Sequence, residues 1–461
     1  MTGATERSVN VGMNGAIATK LAQLIVPQSR PRSATAHLVK GGQSTQIFIP
    51  NGSRLYTISE EVEQKIAFLM DEKNEKGLQN ELIRLGLDAP EYITDEPLQS
   101  PRLHALSLAI AQKCNMGCTY CYADQGDFGG PTKNMSLETA FKAIDLLLKE
   151  CPERGKAQLT FLGGEPLINR QAIREATVYA ETMAKKKEIQ LSYSITTNGT
   201  LVTESDAVFF EEYGFSVTIS LDGIGEDHDR NRPMKGGKGS YNTILKNIQP
   251  LLRLQKKMQV SARVTVTPEN TNLPAVLDEF VQMGFHGVGF SPLLRSSNGQ
   301  NEMNKEQLAV MLEGMIACGL NFEKNVLAGK RYPFLNMVNA LKEISKGTHR
   351  PYPCGAGAGY MGVSADEDLF ACHRFVNEEV GKMGDLNQGI QPELQNNWLA
   401  SRHVNTQDPC SQCWARYLCG GGCHHEVIEK GRPACDYIRS WLFYTIQANE
   451  RLSRLKPNWN T

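Results

Sequence analysis

From residue 103 to about residue 300, short apolar or β-branched runs alternate with amphipathic ones. The runs 103–110, 158–162, 191–196, 216–221, 260–267 and 287–293 are brief and bounded by polar or turn residues, which predicts strands. Between them, 137–148, 171–183, 204–213, 241–254 and 273–283 space their apolar positions as helices do. Strands and helices in alternation predict a parallel sheet with helices packed outside it. Two further helices, 305–320 and 334–344, form a bridge over residues 301–349. Residues 36–99 read as a separate small α+β module. Strand patterns flank the turn signal Asn51-Gly52. A helix then runs from an N-cap at Ser59 to about residue 70, with Glu60, Glu61 and Glu63 near its positive end. A second helix, 78–85, stops at Gly86. Residues 1–35 are polar and carry Gly3, Gly12, Gly15, Pro27 and Pro31, so a mobile tail is expected there, with a short helix over 16–25.

Composition narrows the class. A chain of 461 residues is long enough for roughly two to four domains. Its net charge of -1 gives no field for nucleic acid or an anionic membrane surface. No run approaches the ~20 apolar residues that span a bilayer, and residues 1–9 lack the apolar core of a signal peptide. The expectation is a cytoplasmic protein with neither nucleic acid nor membrane as partner. The 12 cysteines are clustered, which favours metal binding in a reducing compartment over a disulfide framework.

The first cysteine group follows the first strand directly: Cys114, Cys118 and Cys121, spaced C-x3-C-x2-C, with Tyr120 before the last. Three thiolates on one short loop can hold three irons of a cubic iron–sulfur cluster. The fourth iron is then left open to a small molecule. A zinc knuckle wants four ligands, usually from two C-x2-C pairs, and a redox dithiol needs only two. Turn motifs follow the next three strands, at the carboxyl ends where such sheets carry their chemistry. They are Gly163-Gly164-Glu165-Pro166, Thr197-Asn198-Gly199 and Ser220-Leu221-Asp222-Gly223, with Arg232 shortly after. Glycine lets main chains approach closely, and a carboxylate suits an ammonium group. Past residue 350 come Cys354, Cys372, then Cys410-x2-Cys413-x5-Cys419-x3-Cys423, and last Cys435. Cys151 and Cys318 fall in helical patterns and read as small buried apolar residues. His424-His425-Glu426 does not have the zinc-protease order.

The cysteine loop and the ordered turn motifs resemble the radical S-adenosylmethionine (SAM) superfamily, whose signature is CxxxCx(aromatic)C followed by GGEP. The resemblance implies a partial (β/α)6 barrel over 100–300 and a [4Fe–4S] cluster on Cys114, Cys118 and Cys121. It further implies a SAM site built from Tyr120, Gly163, Gly164, Glu165, Asn198, Ser220 and Arg232. Residues 350–461 resemble the SPASM domain of radical SAM peptide maturases, which holds two more [4Fe–4S] clusters. The implied ligands are Cys410, Cys413, Cys419 and Cys435 for the outer cluster, and Cys354, Cys372 and Cys423 for the inner one. The inner cluster is thus one cysteine short, where GAGAGYMG stands in place of a further cysteine. His373 follows Cys372 at the place where some relatives keep an acid that removes a substrate proton. By layout, residues 36–99 resemble the winged-helix-like peptide-recognition module of such enzymes. The C-terminal stretches look most like maturases of quinohemoprotein amine dehydrogenase. That likeness implies Cys-to-Asp/Glu thioether crosslinks in a peptide or small protein, such as the small subunit of that dehydrogenase. It also implies a 5′-deoxyadenosyl radical and an external electron donor such as flavodoxin or ferredoxin. Alternatives within the family are sulfatase formylglycine formation, carbon–carbon crosslinking and epimerisation; outside it, a non-catalytic electron carrier or zinc scaffold.

Overall fold

The computed structural model describes residues 3–41, 44–87, 95–457 and 459. Helix α1 (Gly3–Gln28) opens the chain. Strands β1 (His37–Lys40), β2 (Thr45–Ile49) and β3 (Arg54–Ile58) follow as an antiparallel sheet in that order. Helices α2 (Glu60–Asp71) and α3 (Glu75–Arg84) complete the module, and Ser59 caps α2 by accepting the Val62 N–H. Ile47, Ile49, Ile66, Leu78 and Leu82 form a core of their own, separate from the main one. Residues 42–43 and 88–94 of the expected module lie outside the described residues.

The main body starts with β4 (Ala105–Gln112) and a short β5 (Lys133–Asn134). Then come α4 (Leu137–Glu150), β6 (Lys156–Gly163), α5 (Arg170–Lys186), β7 (Gln190–Thr197) and α6 (Glu204–Glu212). They are followed by β8 (Ser216–Ser220), α7 (Glu226–Asn231), α8 (Tyr241–Leu254), β9 (Gln259–Val266), α9 (Leu273–Gln282) and β10 (Gly287–Pro292). Strands β4, β6, β7, β8, β9 and β10 are all parallel and adjacent in that order. Along β9, Val260, Ala262, Val264 and Val266 are buried among the helices while the alternate positions face the other side. That other face is polar and small: Ser107, Thr160 and Ser194 lie in one cross-sheet row, and Thr196, Thr218 and Ser261 in the next.

Helices α10 (Lys305–Leu327) and α11 (Leu335–Lys346) form the expected bridge, α10 running seven residues past the predicted end at 320. The cysteine-rich part contains β11 (Tyr360–Val363), β12 (Asp368–Phe370), β13 (Lys382–Asp385) and β14 (Gly389–Ile390). Its helices are α12 (Pro392–Arg402), α13 (Arg416–Cys419), α14 (His424–Lys430) and α15 (Cys435–Leu455). It does not stand apart from the sheet. β11 pairs in parallel with β4, and β12 to β14 extend the sheet beyond it as an antiparallel meander.

The expected tail over 1–35 is corrected by the structure. Ala18, Ala22 and Ile25 recur at helical spacing and are buried in the main core, where α1 packs on α10 and α15. The segment after it is strapped to the cysteine-rich part. The Trp414 indole donates to the Ser29 carbonyl at 2.8 Å, and the His37 ring stacks on Trp414 at 4.4 Å. The apolar stripe on 16–25 outweighs the glycines and prolines around it once a partner surface is available.

Candidate active site

The loop after β4 is fixed by backbone contacts on three sides. Gly117 N–H donates to the Pro233 carbonyl, Thr119 N–H to Asn231 and Lys235 N–H to Asn115. On the β6 side, Gly164 N–H bonds Ala111 and Glu165 N–H bonds Lys113, each at 2.9 Å. A Cβ on Gly164 would come within 2.6 Å of the Gly126 Cα and within 2.5 Å of the Lys113 oxygen. The two glycines of this turn are therefore required for the turn to lie against the start of the cysteine loop.

Glu165 is fully buried. Its carboxylate accepts the Leu167 N–H at 3.0 Å, the Thr197 hydroxyl at 2.7 Å and the Asn198 N–H at 2.7 Å. Burial pushes its pKa above the ordinary carboxylate value, opposed by those donors. The Asn198 amide donates to Asn115 at 2.9 Å and reaches to 3.8 Å from the Cys114 sulfur. The turn after β6 and the turn after β7 are thus tied to each other and to the cysteine loop.

On the β8 side, the Tyr120 hydroxyl donates to the Asp222 carboxylate and accepts from Arg232 Nη1 at 2.8 Å. Asp222 also accepts the Thr265 N–H at 2.9 Å. All three side chains are buried, and burial holds the Asp222 pKa above the usual carboxylate range despite the Arg232 guanidinium. Ser220, half-buried at the end of β8, lies opposite Arg263 of β9.

The donor set fits an iron–sulfur cluster. Burial pushes the Cys114, Cys118 and Cys121 thiols up, Cys118 to about 11, so thiolates there need a cationic partner, which cluster irons supply. Among the described residues no three His, Cys, Asp or Glu side chains converge on a single-ion site. The irons of a cube stand at separate corners, so its thiolates stand farther apart than those around one ion. Nearby, Arg232 Nε and Asn231 Oδ1 are buried without hydrogen-bond partners, an orphaned donor and acceptor that suit a polar ligand carrying both functions.

The C-terminal cysteines fall into two groups. Cys410, Cys413, Cys419 and Cys435 line a cavity of about 290 Å³, and burial pushes Cys410 to about 12 and Cys419 to about 11. Cys354, Cys372 and Cys423 are mutually close enough for each to raise the charge cost of another. Arg374 Nη1 donates to the Cys423 sulfur at 3.3 Å and pairs with Glu426 at 2.8 Å. Gly420 turns the chain with φ +72°, and a Cβ there would collide with the backbone of Tyr352 and Pro353, just before Cys354. His373 Nδ1 lies 2.8 Å from the Tyr360 hydroxyl and its ring faces Tyr122 edge-on at 6.0 Å; burial lowers its pKa to about 3. His424 and His425 are buried, with His425 bonded to Glu378 and Arg295. Cys151 and Cys318 are buried away from both groups, in the helical core.

Residues 108–291 match the family described as the radical SAM superfamily. An uncharacterized protein of Methanocaldococcus jannaschii is 36% identical over 306 residues, 64% of this chain and 94% of its own. The chain belongs to the radical SAM superfamily. This radical SAM enzyme is also 27% identical over 340 residues to the cysteine-type anaerobic sulfatase-maturating enzyme of Clostridium novyi, covering 70% of this chain and 88% of that one. The structure of native anSMEcpe with bound AdoMet and Kp18Cys peptide shares the fold, with TM-score 0.62 and 21% identity over 76% of this chain and 98% of that one.

Sequence reasoning placed Tyr120 and Arg232 at the site but passed over their shared partner Asp222, although it stands in the quoted turn. It also passed over Tyr122, Arg374 and Arg263. For Arg263 a signal existed: a charge at the centre of a strand of a parallel sheet needs a reason.

Proposed function

We propose that this radical SAM enzyme modifies a peptide or small protein substrate, forming Cys-to-Asp/Glu thioether crosslinks of the kind made in the small subunit of quinohemoprotein amine dehydrogenase. It would hold three [4Fe–4S] clusters, the first on Cys114, Cys118 and Cys121, the outer on Cys410, Cys413, Cys419 and Cys435, and the inner on Cys354, Cys372 and Cys423. The observation that carries the reading is one continuous cavity. Arg263 and Ser291 of the sheet's polar face line the same space as Cys423, Arg374 and the outer cysteines.

When bound, SAM and the reduced cluster supply a 5′-deoxyadenosyl radical, which takes a hydrogen atom from the substrate. The chain's own part is to bind and orient. The Tyr120–Asp222–Arg232 cluster leaves Arg232 Nε free for the SAM carboxylate. Glu165 and Asn198 fix the turns on which the SAM amino group would rest. The barrel-like face and the cysteine-rich part enclose the substrate, which keeps other hydrogen donors away from an unselective radical. The inner group's vacant ligand place is assigned to the substrate thiolate, a natural ligand of iron. His373 is the candidate proton acceptor, held by Tyr360. Among the described residues no strand pairs with the outer edge of β3, which would be the docking place for an extended substrate segment by strand addition. The enzyme needs an external one-electron donor such as flavodoxin or ferredoxin, and a reducing, cytoplasmic setting.

Reduced, anaerobically reconstituted protein should yield 5′-deoxyadenosine from SAM. Peptides recovered from the native cell should lose two hydrogens and one alkylatable thiol per link. No SAM cleavage would end the enzymatic reading; an intact thiol count would end the thioether one. The similarity to sulfatase-maturating enzymes favours a second reading, oxidation of a Cys or Ser to an aldehyde. Its product would react with hydrazides and contain no thioether.

A further inference from the structure

Around the cavity and the turns beside it, the described acidic and basic side chains are almost all taken: Arg416 by the Ala34 carbonyl, Lys430 by Glu302, Arg432 by Gln407 and Arg439 by Asp436. Glu165 is taken by Leu167, Thr197 and Asn198. Asp222 is taken by Tyr120 and Thr265. Glu426 pairs with Arg374 at 2.8 Å, and Arg374 also serves the Cys423 sulfur. Arg232 leans on Tyr120. Among the described residues lining the cavity, one cation is left over. Arg263 sits in the middle of β9, between Ser220 of β8 and Gly289 of β10, and its side chain is exposed to the cavity. Among the described residues its guanidinium makes no hydrogen bond or ion pair.

That guanidinium is open to the cavity. The strand's outward positions are fully buried, so Arg263 cannot escape to the molecular surface. A guanidinium presents a planar fork that matches a carboxylate with two parallel hydrogen bonds. The surrounding positions, Thr218, Ser220, Ser261, Thr265 and Ser291, are small hydroxyl residues that leave room beside it.

We infer that Arg263 is a specificity-determining residue that receives a carboxylate of the substrate peptide, an Asp or Glu side chain, in the cavity it shares with Cys423 and the outer cysteine group. The inference rests on the peptide-modifying reading of the same site. SAM brings a carboxylate of its own, but the orphaned Arg232 Nε already answers that group. The Arg263 guanidinium, with no partner among the described residues, calls for a second carboxylate.

The test uses reconstituted, SAM-loaded enzyme and two fluorescein-labelled, end-capped peptides. Each contains one Cys, and they differ only in having Asp or Asn at one position three residues from it. The wild type is expected to bind the Asp peptide at least about tenfold more tightly. Arg263→Gln should bring the two affinities within about twofold of each other, with iron content and SAM affinity unchanged. Arg263→Lys keeps the charge without the fork and should retain a partial preference. Equal binding of the two peptides by the wild type overturns the inference alone. Binding of neither overturns the peptide reading together with it. If Arg263→Gln weakens SAM binding and leaves the Asp/Asn ratio intact, the guanidinium serves SAM and the inference falls. Loss of iron in both variants would instead make Arg263 a counter-charge for the clusters.

Discussion

The two cysteine-bearing regions bring their thiols together by opposite routes. In the front loop, Cys114, Cys118 and Cys121 lie within eight positions. The protein's work there is to hold the loop, through main-chain bonds to residues 231–235 and the close approach of Gly164 and Gly126. In the back region seven cysteines are spread from 354 to 435. There the work is to gather them, by the strand β11 added to β4, the glycine turn at 420–422 and the strap from Ser29 to His37. A local motif tolerates changes in distant packing and is intolerant of small changes beside it. A gathered site is the reverse. The difference also sets their environment: the front loop lies against the turns at Gly164, Asn198 and residues 231–235, whereas the back cavity is rimmed by Arg416, Arg432 and Arg439.

The largest effect should come from removing the front ligands. Changing Cys114, Cys118 and Cys121 together to Ala should abolish 5′-deoxyadenosine formation and remove about a third of the iron, by the ligation rule. Retained SAM cleavage would break the comparison at its base. The matching change of Cys410, Cys413, Cys419 and Cys435 to Ala should also remove about a third of the iron. It should spare SAM cleavage and abolish peptide modification; equal loss of both activities would mean that the two regions do not act separately.

Gly164→Ala sharpens the front half. Its Cβ meets the Lys113 oxygen and the Gly126 Cα, so we expect about 1–3 kcal/mol of lost stability, as for other overpacked sites. Poor cluster reconstitution should accompany it. The same change at Gly15, where a Cβ would meet nothing within 4 Å and the backbone is helical, is the control. Tyr120→Phe should have the smallest effect. It strips the Asp222 carboxylate of one donor and Arg232 of one acceptor, at a cost of about 1–3 kcal/mol. SAM affinity should fall with iron content unchanged, and an unaltered affinity would remove this cluster from the SAM site.

Much of this was legible in the chain. The six parallel strands and their helices came from periodicity, because burial on one face imposes a spacing that survives in the sequence. The turn motifs came from their position after strands. What was not legible was pairing across distance. Nothing local says that Tyr120 shares Asp222 with Arg232, or that Asn198 reaches back to Asn115. The tail over 1–35 failed for a related reason. Its apolar stripe is short, and only α10 and α15 give it a surface to bury against.

By itself the sequence determined where the closely spaced thiols and the glycine-bearing turns fall, since both are local properties of the chain. It determined the order of strands and helices too, because hydrophobic period is local. Tertiary structure alone decided that the cysteine-rich part joins the main sheet edge through β11 instead of folding apart from it. It decided that Glu165 spends its carboxylate on backbone and hydroxyl donors, and that Arg263 faces the cavity without a partner among the described residues. Each of those depends on which groups burial brings together and which it leaves unsatisfied, and that balance exists only once distant parts of the chain share one interior.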